Sequence, residues 1–149
     1  MALFLFLYLC SMISDKITLE HVNKFIPNTL MEHLGMEFTA IGPDYLTATM
    51  PVNKNVHQPM GILHGGASVA LAETVGSAAS NLMIDHKVEY CVGLDINANH
   101  IRSVKEGIVT GTAKAIHLGR KTHIWQIEIV NEEGKLVCTS RLTMAVIKK

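Results

Sequence analysis

Cysteine is sparse in this chain and poorly placed for chemistry. Cys10, Cys91 and Cys138 are the only three in 149 residues, an odd and scattered set with no C-x-x-C pair, which argues against a disulfide framework or a zinc ribbon. A reducing cytosol suits such a chain, and a cytoplasmic location is the expectation. Excess charge of either sign is also missing. Lys+Arg and Asp+Glu number 13 each, so there is no electrostatic footprint for nucleic acid. The eight histidines include no H-E-x-x-H and no His/Cys cluster at ligand spacing, so no metal site is expected. Gly66-Ala67-Ser68-Val69-Ala70 fails G-x-S-x-G at its last position, which leaves out a nucleophile elbow. Gly119-Arg120-Lys121-Thr122 lacks the upstream glycine of a phosphate loop.

The first ten residues, MALFLFLYLC, are almost wholly apolar but fall short of the ~20 that a spanning helix needs. They also lack the basic start of a signal peptide. Three readings stay open for this end: an unusual export or anchoring segment, an apolar arm that packs on a partner, or an upstream extension with translation starting at Met12. No membrane role is expected. Residues 1–16 are therefore set apart as an apolar extension, and residues 17–149 as one domain, a length that buries roughly two-thirds of the unfolded surface.

What the chain does contain begins with a single carboxylate. From Asn55 to Ile84 the only formally charged side chain is Glu73, in the middle of a small-residue segment. Burying an ionised carboxylate without a partner costs several kcal/mol, on the order of the values found in real proteins. The segment supplies no partner, so Glu73 is the first candidate for chemistry; a surface position or a distant Arg or Lys is the plainer alternative.

The elements can be read along the chain. Thr18 to Leu34 reads as two short helical pieces broken at Pro27. Met36–Ile41 and Tyr45–Val52 form a hairpin around Gly42-Pro43-Asp44. From Gly65-Gly66 to Asp85 a helix of about five turns is expected. Its many Ala, Ser and Gly residues let a sheet approach closely. The period then changes to two, and Tyr90–Ile101, Ile108–His117, His123–Val130 and Leu136–Ile147 read as four consecutive antiparallel strands, punctuated by Gly107, Gly119 and Gly134. Trp125, Ile127 and Ile129 share an apolar face, and Val109, Gly111, Ala113 and Ala115 offer a shallow surface for the helix. The order ββαββββ implies an α+β domain with one helix on an antiparallel sheet.

The richest constellation is the loop His57-Gln58-Pro59-Met60-Gly61-Ile62-Leu63-His64-Gly65-Gly66, which opens directly into the helix carrying Glu73. Unpaired N–H groups in a first helical turn favour a carbonyl oxygen that becomes negative; a tight turn with no other role is the alternative. Glu73 lies beyond the reach of the helix dipole, and as a carboxylate it can act as a general base or attack an acyl carbon. Ser77, four residues on, shares its face. Arg120 and Lys121 at a hairpin turn, with His100 and Arg102, are placed to receive phosphates or form an ordinary solvated surface.

HQPMGILHGGASVALAETVGS, VGLDINANHIR and HLGR closely resemble the hotdog-fold thioesterases. The branch is the bacterial acyl-CoA thioesterases that include 1,4-dihydroxy-2-naphthoyl-CoA hydrolase of menaquinone synthesis, the enterobactin proofreading thioesterase and one type of 4-hydroxybenzoyl-CoA thioesterase. The resemblance covers approximately Leu30 to Ile147. It implies a long central helix wrapped by a curved antiparallel sheet, and dimers joined edge to edge that often pair into tetramers. It implies an acyl-CoA substrate with an aromatic or medium-chain acyl group, or an acyl group on a carrier protein, and no cofactor. By resemblance, Glu73 is the catalytic carboxylate of one subunit, while Gly65 offers its backbone N–H and Gln58 its side chain to the thioester carbonyl from the other. His64 shapes the pocket, Ser77 positions water or acyl group, and His100, Arg102 and Arg120 lie near the nucleotide end of coenzyme A. A non-catalytic acyl-CoA-binding protein and a hotdog dehydratase using His64 and Glu73 are the alternatives.

Overall fold

The computed structural model describes residues 12–149; the apolar run at the start of the chain, with Cys10, falls outside them. Two short helices come first, α1 (Leu19–Asn23) and α2 (Leu30–His33). Each is capped by a threonine: Thr18 accepts the His21 N–H, and Thr29 accepts the Met31 N–H. Between them lie Pro27, which breaks the helical run, and Asn28 in the left-handed region at φ 62. Gly35 ends α2 at φ +66, the conformation glycine adopts without strain.

The remaining elements are β1 (Glu37–Gly42), β2 (Tyr45–Val52), α3 (Gly65–Asn81), β3 (Glu89–His100), β4 (Gly107–Leu118), β5 (Thr122–Val130) and β6 (Leu136–Lys148). All six strands join one antiparallel sheet in the order β1-β2-β4-β5-β6-β3. Two expectations need adjustment. The last four strands are consecutive in sequence, but β3 does not pair with β4. It crosses to the far side of β6 and ends the sheet, while β4 inserts beside β2. The helix stops at Asn81, a turn short of Asp85, because Leu82 caps it and the chain turns through residues 82–88 toward β3.

The helix lies on the sheet as its small residues allow. Ser68, Leu71, Ala72, Val75, Gly76, Ala79 and Ser80 are buried, and only Gly66 of the seventeen residues is exposed. A Cβ at Gly76 would fall 2.5 Å from Leu142 Cδ2, and one at Gly111 would fall 3.1 Å from Leu71 Cγ, so glycine on both layers sets the closeness of approach. The expected apolar face of β5 is real: Trp125, Ile127 and Ile129 are fully buried. Trp125 donates its indole N–H to Ser80 Oγ at 2.6 Å, which satisfies the one polar atom of the ring in the core. Ile13, buried against the turn of the first hairpin, donates its N–H to the Pro43 carbonyl at 2.9 Å.

His123 is the exception in this core. It is buried, and its Nδ1 has no hydrogen-bond partner among the described residues. Burial, and then the nearby His117, hold its imidazole below the usual 6.5, against a hydrogen bond with the Gly119 backbone that favours the charged form. The unfolded chain therefore takes up a proton near pH 6.5 that the folded chain resists. Stability from this group is complete above that pH and falls as pH drops below it. Thermal unfolding midpoints measured at about pH 7 and about pH 5 should fall more for the wild type than for His123→Leu; equal falls would mean that other groups carry the pH dependence.

Candidate active site

The loop before α3 is held by its own backbone. Gln58 N–H donates to the Ile62 carbonyl and Gly61 N–H to the Gln58 carbonyl, closing a tight turn in which Gly61 sits at φ +70. Leu63 N–H donates to the Val104 carbonyl and His64 N–H to the Val56 carbonyl, at 2.8 Å each. The start of α3 is thereby fixed against the segment that follows β3. His64 is the N-cap: its Nδ1 accepts the Gly66 N–H at 2.8 Å, and its carbonyl accepts Ala67 and Ser68. The Gly65 N–H is left with no acceptor among the described residues. A first-turn amide without an internal partner is a donor for an external oxygen.

The candidate residues fall into groups. Gln58, Gly65, His100 and Arg102 line one cleft of about 270 Å³, together with the buried Ser68. A Cβ at Gly65 would fall 2.7 Å from His100 Nε2, so the two are in direct contact. Arg102 reaches the Leu136 carbonyl through Nη1, which anchors its guanidinium at the rim. His64 stands beside this group as the cap.

Glu73 and Ser77 open instead onto a second cleft of about 520 Å³. Its walls are apolar, with Val22, Phe25, Leu30, Met31 and Phe38 facing Ala78 and Leu82 across it. The ion pairs among the described residues join Lys24 to Glu20 and Lys135 to Glu133; Glu73 belongs to neither. Its carboxylate lies against the edge strand, where a Cβ at Gly93 would fall 2.6 Å from Glu73 Oε1. Ser77 Oγ is 3.5 Å from Met144 Sδ, a weak contact that leaves the hydroxyl's acceptor capacity free.

Within one chain the two groups stay apart. Gly65 and Glu73 are eight residues apart on α3, about 12 Å of helical rise. Arg120 is farther still from His100 and Arg102. Its hairpin sits where Thr122 pairs with Ala145, whereas His100 pairs with Cys138, a separation of about 23 Å along β6. Among the described residues no group of three His, Cys, Asp or Glu is placed to hold a metal ion, and no helix is long and apolar enough to cross a membrane.

Sequence reasoning missed Ser68 and the apolar wall. Phe25 and Leu30 remain 62% and 59% exposed, and large apolar side chains left in the open beside a cleft mark a binding surface. Their signal was the pair of apolar residues flanking the Pro27 break, read only as helix-forming.

A sequence profile of the thioesterase superfamily matches residues 60–138, which include Gly65, Glu73 and Ser77. The 1,4-dihydroxy-2-naphthoyl-CoA hydrolase of Escherichia coli (strain K12) is 50% identical over 132 residues, 89% of this chain and 96% of that protein. The crystal structure of a thioesterase from Haemophilus influenzae superposes with a TM-score of 0.87 at 50% identity, covering 93% of this chain and 95% of that one. A protein from Staphylococcus aureus, solved as a Glu→Ala mutant, superposes with a TM-score of 0.80 at 42% identity over 81% of this chain and 100% of its own. It was also solved as a Gln→Ala mutant, called a thioesterase enzyme, with a TM-score of 0.77 at 43% identity over 78% of this chain and 97% of its own.

The cap makes a prediction that is independent of any chemistry. Loss of an N-cap acceptor typically costs about 1 kcal/mol. His64→Ala should therefore lower the urea midpoint by an amount equivalent to about 1 kcal/mol, and His64→Asn should recover most of it. An unchanged midpoint in His64→Ala would mean that the Gly66 N–H is satisfied another way.

Proposed function

We propose that this chain, which belongs to the thioesterase superfamily and is a thioester hydrolase, cleaves acyl-CoA thioesters at a site composed from two copies. The observation that carries the reading is the unpaired Glu73 carboxylate at the head of an apolar cleft, about 12 Å from the unpaired Gly65 amide of its own chain. A thioester carbonyl cannot reach both in one copy. Across a two-fold axis, the start of one α3 comes beside the middle of the other.

In that arrangement the Gly65 N–H and the Gln58 side chain of one copy polarise the carbonyl, placing donors where negative charge develops. Glu73 of the other copy attacks the acyl carbon to give a mixed anhydride, or takes a proton from water that attacks in its place. The carbon–sulfur bond breaks and coenzyme A leaves as thiolate. In the anhydride route, water then hydrolyses the intermediate, releasing the acid and restoring the carboxylate. Ser77, on the face of Glu73, positions water or the acyl group. His64 holds the start of the helix in shape. The acyl group occupies the apolar cleft walled by Phe25, Leu30 and Phe38, whose volume suits an aromatic or medium-chain acyl group.

His100 and Arg102 lie beside Gly65 and receive the nucleotide end of coenzyme A. Arg120 is remote from them in one chain, so its contact with that end requires a different copy. An acyl group on a carrier protein would present the same thioester through a pantetheine arm. The family relationship supports both substrate forms, and the relative from Escherichia coli names an aromatic one.

Two further observations support the assignment. In the Staphylococcus aureus protein the glutamine and glutamate chosen for substitution lie fifteen positions apart, as Gln58 and Glu73 do here. A dehydratase would need His64 as a base close to an acid. The His64 Nδ1 is committed to the Gly66 N–H, and Glu73 lies two and a half turns along the helix.

Thiol release from a panel of benzoyl, hydroxybenzoyl, dihydroxynaphthoyl and aliphatic CoA thioesters tests the activity. Glu73→Gln and Gln58→Ala should each be nearly inactive while keeping the assembly of the wild type. Mixing them after mild dissociation tests the composite site. A hybrid dimer holds one site with both wild-type residues, so a statistical mixture should recover about a quarter of wild-type turnover. No recovery from a mixture shown to contain hybrids would place Gln58 and Glu73 in the same copy's site and overturn the composite reading.

A further inference from the structure

We infer that Ser68 binds the pantetheine arm of the substrate, its hydroxyl hydrogen-bonding the amide nearest the thioester sulfur. The assignment rests on the acyl-CoA reading above and adds to it a contact for the arm between the carbonyl and the nucleotide.

Five polar side chains are buried among the described residues: Thr47, Ser68, Ser80, His123 and Ser140. Three have partners inside the protein. Thr47 Oγ1 lies 2.9 Å from Thr112 Oγ1, Ser80 Oγ accepts the Trp125 indole N–H, and Ser140 Oγ lies 3.6 Å from Cys138 Sγ. His123 Nδ1 is sealed in the core without one. Ser68 differs from all four. Only 2% of its surface is exposed, and its hydroxyl makes no hydrogen bond among the described residues. Its oxygen is not sealed off as His123 Nδ1 is, and it opens into the cleft that Ser68 lines with Gln58, Gly65, His100 and Arg102. Buried hydroxyls are nearly always paired, so one left open to a cleft is completed by what enters it.

The helix decides which part of a substrate that is. Ser68 comes three residues after Gly65, about 4.5 Å of helical rise, and helical side chains lean toward the N-terminal end. The hydroxyl therefore stands over the turn that Gly65 opens, which His100 also covers, since a Cβ at Gly65 would fall 2.7 Å from His100 Nε2. The free N–H of Gly65 points the other way, out of the start of the helix. An oxygen held there lies beyond the amide from Ser68. Ser68 is thus no third donor to the thioester carbonyl, and it meets a polar group several bonds away.

The arm of coenzyme A carries such a group. Two methylenes separate its sulfur from its first amide, and more methylenes and a second amide follow before the nucleotide. The cleft offers surfaces of both kinds: Ile62, Leu63, Ile101 and Val137 line it beside the polar side chains, apolar wall for the methylenes and the Ser68 hydroxyl for the amide. A hydroxyl both donates and accepts, so it can pair with either end of an amide group. The cleft belongs to one chain, so Ser68 serves the copy whose Gly65 holds the carbonyl.

A cycle of two substrates and two enzymes tests the contact. One substrate is the CoA thioester that wild type hydrolyses fastest; the other is its analogue with the amide nearest the sulfur replaced by two methylenes. In wild type that replacement should lower kcat/KM roughly three- to tenfold, the worth of one hydrogen bond, chiefly through KM. Ser68→Ala should lose a similar factor on the natural thioester and little more on the analogue. Independent losses that multiply would place the amide elsewhere and overturn the inference, as would a Ser68→Ala enzyme equal to wild type on the natural thioester. A loss in kcat alone, the same for both substrates, would assign the hydroxyl to the hydrolytic water or to the fold and overturn it too. Should Ser68→Ala not fold, Ser68→Cys, a weak donor of similar size, is read against the same two substrates. Wild-type turnover of the natural thioester tests the acyl-CoA reading by itself, and its absence overturns both.

Discussion

The close packing of α3 on the sheet is the constraint from which the rest follows. The helix is built largely from Ala, Ser and Gly, and glycines at positions 76 and 111 meet leucine side chains across the layer boundary so closely that an added methyl group would force those side chains to shift. A bulkier helix would stand farther off, and its one carboxylate would project into solvent. At this distance Glu73 is set against Gly93 at the margin of the sheet. A side chain at Gly93 on β3 would meet the Glu73 carboxylate and displace it from this position.

From that placement the division of the candidate site follows. The start of α3 gathers Gly65, Gln58, His100 and Arg102 into a small polar cleft, while the middle of the helix gives Glu73 and Ser77 to a larger apolar one. An amide donor requires the first turn, where backbone N–H groups lack internal partners. A carboxylate two turns inside the helix sits clear of the positive end of the dipole. One helix supplies both kinds of group only at separate points along its axis.

Sequence and structure agree where the pattern is periodic or where an isolated residue breaks it. The face of β5 was legible because Trp125, Ile127 and Ile129 alternate with polar residues, and Glu73 because no other formal charge occurs between Asn55 and Ile84. The strand order was not legible. Alternation tells which side of a strand is buried but not which strand lies beside it, so β3 read as the first member of a meander when it lies at the far edge. The wall of the apolar cleft was hidden for a related reason: Phe25 and Leu30 fit helical spacing, and only the tertiary fold brings them into the cleft that Glu73 lines. The grouping of His100 with Gly65, and the distance of Arg120 from both, depend on strand register, which local pattern does not encode.

On the composite reading, the contact that joins two copies also completes the site. The energy that joins two copies and the geometry that joins amide to carboxylate would then have a common source, so neither could be altered alone. A separated copy would keep both clefts and all its candidate residues, yet hold no place where a carbonyl carbon meets the Glu73 carboxylate while its oxygen meets the Gly65 amide. Activity would consequently follow the concentration of the assembled form by mass action.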